Sequence, residues 1–302
     1  MPLSSSLPII PSFSISSRIK DYFALTKPGI SMVVLMTTAS GFLVAAKESV
    51  FQSINPSIFF HTLLGTALTA VGAGSLNMLL EQDSDALMER TKRRPLPSGR
   101  VYPEEAFIIG ILSGSLGVVH LARMTNLLTS FLAALSLVLY LVFYTPLKKS
   151  SPFCTVVGAV SGALPPLIGW SAFKGTLTLE ACSLFLILFV WQFPHLLSLA
   201  WLYKEDFKKA NFKNWAQQDE NGVWTARTAS VLSIVLLISS LIPYQLKMAG
   251  AFYLFSSLIL GLLLFSSTLI FLDRRNVPSA RSLFLTTVFY IPLLLLAMVL
   301  KF

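Results

Sequence analysis

The residues best suited to chemistry lie in one stretch, Asn77 to Arg94, which reads NMLLEQDSDALMERTKRR. Asn77, Glu81 and Asp85 recur at i, i+4 and i+8, so on an α-helix they share one face and drift about 40° per step. Asp83 lies between them and turns away while the helix stays regular. Arg90, Lys92, Arg93 and Arg94 follow, with Arg100 beyond. Two carboxylates and an amide oxygen suit a hard cation such as Mg2+. Guanidinium and ammonium groups suit the phosphate oxygens such a cation leaves unneutralised. These residue types therefore fit a Mg2+-bound diphosphate. The opposite reading is a solvated loop whose cations only set membrane orientation. It is weakened by position, because Asn77 falls in the last turn of a long apolar segment, where a polar group needs a partner.

A second polar stretch, WQFPHLLSLAWLYKEDF, spans Trp191 to Phe207. Pro194 interrupts an apolar run, which is tolerated where the freed backbone finds a partner or lines a cavity. His195 follows, deep in that run. On a continuous helix His195 and Asp206 share a face, with Asp206 about 16 Å nearer the cytoplasm. Asp206 and Glu205 suit a second Mg2+ or the far side of the same diphosphate, with Lys204 beside them. His195 suits iron ligation or proton transfer, or it only packs as a hydrogen-bonded intramembrane histidine. Tyr144-Thr-Pro-Leu-Lys-Lys149 ends another apolar segment. There Lys148 either reaches a phosphate or marks orientation. Gly158, Gly162, Pro165, Pro166 and Gly169 thin the next segment, so that a helix or a large flat ligand can come close. Lys27, before Pro28, faces the same cavity in this reading.

Elements of one kind must position these groups. Hydrophobic residues make up 54% of the 302 and charged residues 12%, about half the charge of a soluble domain. The chain is thus expected to be an all-α integral membrane protein, a bundle of nine helices around a central cavity. The spans fall at about 29–46, 57–80, 106–122, 126–146, 154–173, 177–202, 228–247, 250–272 and 283–301, each long enough to cross a bilayer. Such uninterrupted runs exclude a strand-based barrel. With the N-terminus cytoplasmic, 18 of the 23 Lys and Arg fall on the inside, as the positive-inside rule requires. Loops 81–105 and 203–227 then lie on the same side, each after a helix with polar residues at its end. Residues 1–20 read as a polar tail and 21–302 as one transmembrane domain. Cys154 and Cys182, both in apolar segments, form no disulfide framework or zinc site.

Together these pieces resemble the UbiA-type intramembrane prenyltransferases, and within them the haem-farnesylating branch. The matching segments are LTKPGI at 25–30, NMLLEQDSDALMERTKRRPLP at 77–97, YTPLKK at 144–149, GALPPLIGW at 162–170 and WQFPHLLSLAWLYKEDF at 191–207. They run in family order. Two departures stand out: the family's usual first aspartate is Glu81 here, and the second acidic motif reads Lys-Glu-Asp-Phe, which leaves Asp206 a firmer candidate than Glu205.

The resemblance implies transfer of a farnesyl group from farnesyl diphosphate to a vinyl group of haem B, with addition of water, giving haem O and diphosphate. It implies Mg2+ as cofactor on Asn77, Glu81, Asp85 and Asp206, with Asp83 and Glu205 as further candidates. Arg90, Arg93, Arg94, Lys148 and Lys204 would hold the diphosphate, and His195 the haem. The bilayer surrounds the protein and no nucleic acid is involved. A haem A synthase or a terminal-oxidase assembly factor would be the partner. The membrane would be the bacterial cytoplasmic membrane, with the mitochondrial inner membrane as the alternative. Two other readings stay open: a prenyltransferase with a phenolic or quinone-precursor acceptor, and a transporter of an anionic amphiphile that needs no Mg2+.

Overall fold

A computed structural model describes residues 15–47 and 54–300. Among the described residues nine helices are long and apolar enough to cross a membrane, and the protein is a multi-pass integral membrane protein. The polar tail expected over residues 1–20 lies outside the described residues as far as residue 14. From Ile15 it continues into helix α1 (Ile15–Leu25). Ion pairs Arg18–Glu105 at 2.7 Å and Arg100–Asp21 at 2.9 Å tie α1 to the rest of the bundle.

The spans are α2 (Pro28–Lys47), α3 (Pro56–Leu80) and α5 (Pro103–Met124), with the short α4 (Gln82–Leu87) following α3. The fourth span joins α6 (Leu127–Val138), a π-helical stretch (Leu139–Tyr144) and α7 (Thr145–Ser150). The fifth joins α8 (Cys154–Ala163) and α9 (Pro165–Lys174), and the sixth is α10 (Leu179–Leu202). The short α11 (Lys204–Lys209) and α12 (Trp215–Gln218) precede the last three spans, α13 (Val223–Gln245), α14 (Ala251–Arg274) and α15 (Val277–Val299). The third, seventh and ninth spans begin before their apolar runs, because polar first turns are helical too. Asn276, for example, caps α15 by accepting from the Ser279 N–H at 3.0 Å, which satisfies one orphan donor.

Polarity is arranged inside out. Phe131, Phe255 and Leu269 are exposed, as lipid contact demands, while Thr66, Ser75, Ser171, Ser240 and Thr268 are buried. Helices in lipid gain little from apolar contact alone and rely on close packing and interhelical hydrogen bonds. Thr129 and Ser171 join α6 to α9 at 2.9 Å, and Ser240 and Tyr290 join α13 to α15 at 2.8 Å.

Small residues bring backbones together. A Cβ at Gly169 would stand 1.9 Å from the Thr38 carbonyl oxygen, and one at Gly41 would stand 2.1 Å from that of Pro166. Glycine is therefore required where α2 crosses α9. The thinness expected of the fifth span serves two ends. Gly169 admits a helix backbone, whereas Gly158 and Gly162 admit the side chains of Tyr144 and Gln192. Gly169→Ala should cost about 1–3 kcal/mol or more by overpacking, read as a lower melting temperature in detergent. Gly29→Ala, which meets nothing within 4 Å, should fold like the parent.

Candidate functional site

One cavity of about 500 Å3 runs into the bundle. Its wall includes Lys27, Asn77, Glu81, Asp85, Arg90, Arg94, Tyr140, Tyr144, Lys148, Gln192 and His195. Asn77, Glu81 and Asp85 are 0%, 5% and 1% exposed, so each needs a partner, and each has one.

The helix does not run unbroken through this motif. Glu81 takes φ −101°, ψ 7°, ending α3 and starting α4. The Glu81 N–H still donates to the Asn77 carbonyl at 3.0 Å and the Asp85 N–H to that of Glu81 at 2.7 Å. The break therefore bends the chain while the three side chains stay on one cavity wall. Asp83 is exposed and off that wall.

The Asn77 amide is oriented from two sides. Its Nδ2 donates to Thr145 Oγ1 at 2.8 Å, and Thr145 donates in turn to the Tyr140 carbonyl at 2.8 Å. That carbonyl also accepts the Thr145 N–H five residues on, in the π-helical stretch. Such stretches recur at functional sites. Oδ1 of Asn77 is then left facing Lys27 Nζ, which donates to it. Lys27 is held at φ +49°, a left-handed conformation uncommon for a residue with a side chain. Burial pushes its ammonium down to about 7, against the pull of the Glu81 carboxylate.

Two ion pairs hold the carboxylates. Lys148 Nζ lies 2.6 Å from Glu81 Oε1, and Arg94 Nη1 lies 2.6 Å from Asp85 Oδ2. Lys148 also sits over the Tyr144 ring, 4.4 Å from its centre. Burial raises the Glu81 carboxyl, but Lys148 and Lys27 outweigh it and hold the group below the usual carboxylate range. Asp85 Oδ1 is buried without a hydrogen-bond partner.

That orphan oxygen, the Asn77 amide oxygen and the Glu81 carboxylate are hard donors of the kind a divalent cation takes. No group of three or more His, Cys, Asp or Glu placed to hold a metal ion occurs among the described residues. The chain thus offers an incomplete oxygen shell. This suits Mg2+, which keeps waters and binds through one or two carboxylates plus substrate phosphates.

The second polar stretch is arranged differently from the continuous helix expected. Tyr203 takes φ −113°, ψ 30°, so α10 ends at Leu202 and the short α11 begins at Lys204. His195 lines the cavity, but Asp206, about three turns on, does not. Asp206 is off the cavity wall, and its carboxylate accepts from the N–H groups of Glu89 and Arg90, both at 3.3 Å. Lys204 donates to the Asp219 carbonyl at 2.8 Å, and Glu205 and Arg93 are exposed and off the wall. Arg90, held by Asp206 through its backbone, does line the cavity, with its guanidinium 5.1 Å from the Tyr203 ring centre. His195 lines the cavity too, stacked between Trp191 at 4.8 Å and Phe284 at 5.0 Å. Tyr140, Thr145 and Gln192 escaped the sequence reading of the site. The Tyr-Thr-Pro and Trp-Gln neighbourhoods of Lys148 and His195 were the available signal.

Several known proteins are similar to this chain in sequence or fold. The pattern of the UbiA prenyltransferase family matches residues 34–294. A protein of Koribacter versatilis (strain Ellin345), named protoheme IX farnesyltransferase, is 38% identical over 298 residues, covering 96% of each chain. A solved digeranylgeranylglyceryl phosphate synthase superposes with a TM-score of 0.77 at 19% identity, over 94% of this chain and 98% of its own. A UbiA homologue from Archaeoglobus fulgidus bound to DMAPP and Mg2+ superposes with a TM-score of 0.63 at 18% identity, over 91% and 99%.

Replacing Lys148 by Met would leave Glu81 buried without its cation. We expect a loss of about 3–5 kcal/mol, seen as a lower melting temperature in detergent, with most of it recovered in Lys148→Met/Glu81→Gln. Because the folded value of Glu81 is depressed, the pair's contribution is present above the ordinary carboxylate range. It is lost as pH falls through the depressed value. The melting-temperature gap between the parent and Lys148→Met should therefore narrow as pH falls through that value.

Proposed function

The chain belongs to the UbiA prenyltransferase family, and from that premise we propose that it transfers the farnesyl group of farnesyl diphosphate to a vinyl group of haem B. The C1–O bond to diphosphate breaks, the vinyl carbon bonds to C1, and water supplies the hydroxyl of the hydroxyethylfarnesyl group while losing a proton. The products are haem O, diphosphate and that proton. The observation that carries this reading is the composition of one cavity wall. Asn77, Glu81 and Asp85 stand beside Lys148, Arg90 and Arg94, and His195 lies on the same wall between two aromatic rings.

Asn77, Glu81 and Asp85 would hold Mg2+, which when bound neutralises the departing diphosphate. Lys148 and Arg94 exchange part of their contact with Glu81 and Asp85 for phosphate oxygens, and Arg90 closes over them. Donors fixed before the reaction cost no reorganisation during it, usually a large part of catalysis. Asp206 contributes by anchoring the backbone from which Arg90 projects. Arg93, Lys204, Asp83 and Glu205 lie off the wall and carry no direct role in this arrangement. Tyr140, Tyr144 and the apolar wall exclude bulk water from the allylic centre. His195 faces the acceptor.

An amphipathic substrate pair suits a cavity in a bilayer. We place the protein in a bacterial cytoplasmic membrane with its N-terminus and the Arg90 loop on the cytoplasmic side. A haem A synthase or oxidase assembly factor would consume the product.

The test is product mass. Purified protein with haem B, farnesyl diphosphate and Mg2+ should yield haem heavier by one farnesyl plus one water, and EDTA should abolish the change. Asp85→Asn, expressed and folded normally, should lower turnover by at least about 100-fold. Unmodified haem from folded protein that instead transfers the farnesyl group to a phenolic acceptor, with release of diphosphate, would move the assignment to that acceptor class.

A further inference from the structure

His195 is fixed by a residue from the last helix, and the hydrogen-bond directions determine which of its nitrogens carries the proton. Thr287, in the middle of α15, has its hydroxyl 2.8 Å from His195 Nδ1 and donates it to the Phe284 carbonyl at 2.6 Å. A threonine hydroxyl has one proton. With that proton on the Phe284 carbonyl, Thr287 Oγ1 can only accept from His195, so Nδ1 carries a hydrogen. The opposite tautomer would leave either Oγ1 and the Phe284 carbonyl, or Oγ1 and Nδ1, facing each other with lone pairs only. The same residue is held from α10 a second time, since Trp191 Nε1 donates to the Thr287 carbonyl at 2.8 Å. Trp191 and Phe284 clamp the imidazole at interplanar angles of 20° and 29°. The ring is thus restrained in tilt, rotation and tautomer. Its Nε2 keeps a free lone pair, on a side chain that lines the cavity.

We propose that Thr287 is a positioning residue that holds His195 as the Nδ1–H tautomer and so presents the Nε2 lone pair to the iron of the haem acceptor. This rests on the haem reading above. A hydrogen bond from the second ring nitrogen is the usual way a metal-ligating histidine is oriented and made more basic. The new ligand would be neutral imidazole, so no proton moves when the iron–nitrogen bond forms.

Two measurements on the full chain decide it. The chain has three histidines, and His61 and His120 pair with each other at 3.1 Å. In 15N-histidine-labelled protein the His195 signals are those lost in His195→Ala. They should show a protonated Nδ1 and a bare Nε2 in the parent and in Thr287→Ser, and a tautomer mixture in Thr287→Val. An Nε2–H parent, or the same single tautomer in Thr287→Val, overturns the proposal.

In a ferric haem titration, Thr287→Val of unchanged melting temperature should bind haem about 10–100-fold more weakly. Its Soret band should move toward that of His195→Ala, Thr287→Ser should match the parent, and farnesyl diphosphate affinity with Mg2+ should not change. Haem that binds the parent and His195→Ala with the same spectrum overturns the iron-ligand role. A parent that binds no haem but prenylates a phenolic acceptor also overturns that role. In that case it does so through failure of the functional reading, and the nitrogen spectra still decide the tautomer.

Discussion

Carboxylates cannot stand alone where α3 ends. The surrounding is apolar, and an ionised group taken out of water without a partner costs several kcal/mol. Glu81 and Asp85 stay buried because Lys148 arrives from α7 and Arg94 from the loop beyond α4. The rest of the site follows from this need. The π-helical stretch ends beside α7, the loop after α4 folds back over the cavity, and Lys27 accepts a left-handed backbone to reach Asn77. Under the proposed function, such a site holds its phosphate-binding cations in place before any phosphate arrives. They rest on the same carboxylates that a divalent cation would take from them.

Two interruptions give the bundle a repeated device. α3 ends before Glu81 and α10 before Tyr203, and each is followed by a six-residue helix with two acids in its first turn, α4 and α11. The two are joined where Asp206 of α11 accepts from the backbone after α4. A loop carrying several cations repels itself, and a carboxylate on its N–H groups offsets that repulsion locally. The second acidic stretch thus organises the first, rather than adding oxygens to the cavity wall. The His195 end of the cavity depends on a separate lock, in which α10 and α15 exchange hydrogen bonds through Trp191, His195 and Thr287. Pro194 lies inside α10, next to His195 and this lock.

Much of this was legible in the letters. Nine spans follow from hydropathy because the bilayer demands about 20 apolar residues per crossing whatever the helix packs against. Asn77, Glu81 and Asp85 share a wall because helical periodicity is local, and backbone hydrogen bonds persist through the bend at Glu81. Gly158, Gly162 and Gly169 signalled close approach, since a missing Cβ means the same thing in any fold.

The tertiary structure alone decided the rest. Helical spacing put His195 and Asp206 on one face, but Asp206, Glu205 and Lys204 lie off the cavity wall, with Asp206 bound to the backbone after α4. The partners of Glu81 and Asp85 were present in the chain as a surplus of cations. Which cation met which acid depended on how α7 and the loop after α4 packed. Thr287, 92 residues from His195, reads in sequence as one more small residue of an apolar helix. Spacing along one helix is a property of its own backbone, whereas a hydrogen bond between two helices exists only once their rotation and depth are set. So the sequence determined the class, the crossings and the acidic stripe, and packing decided which side chains face the cavity and which way their protons point.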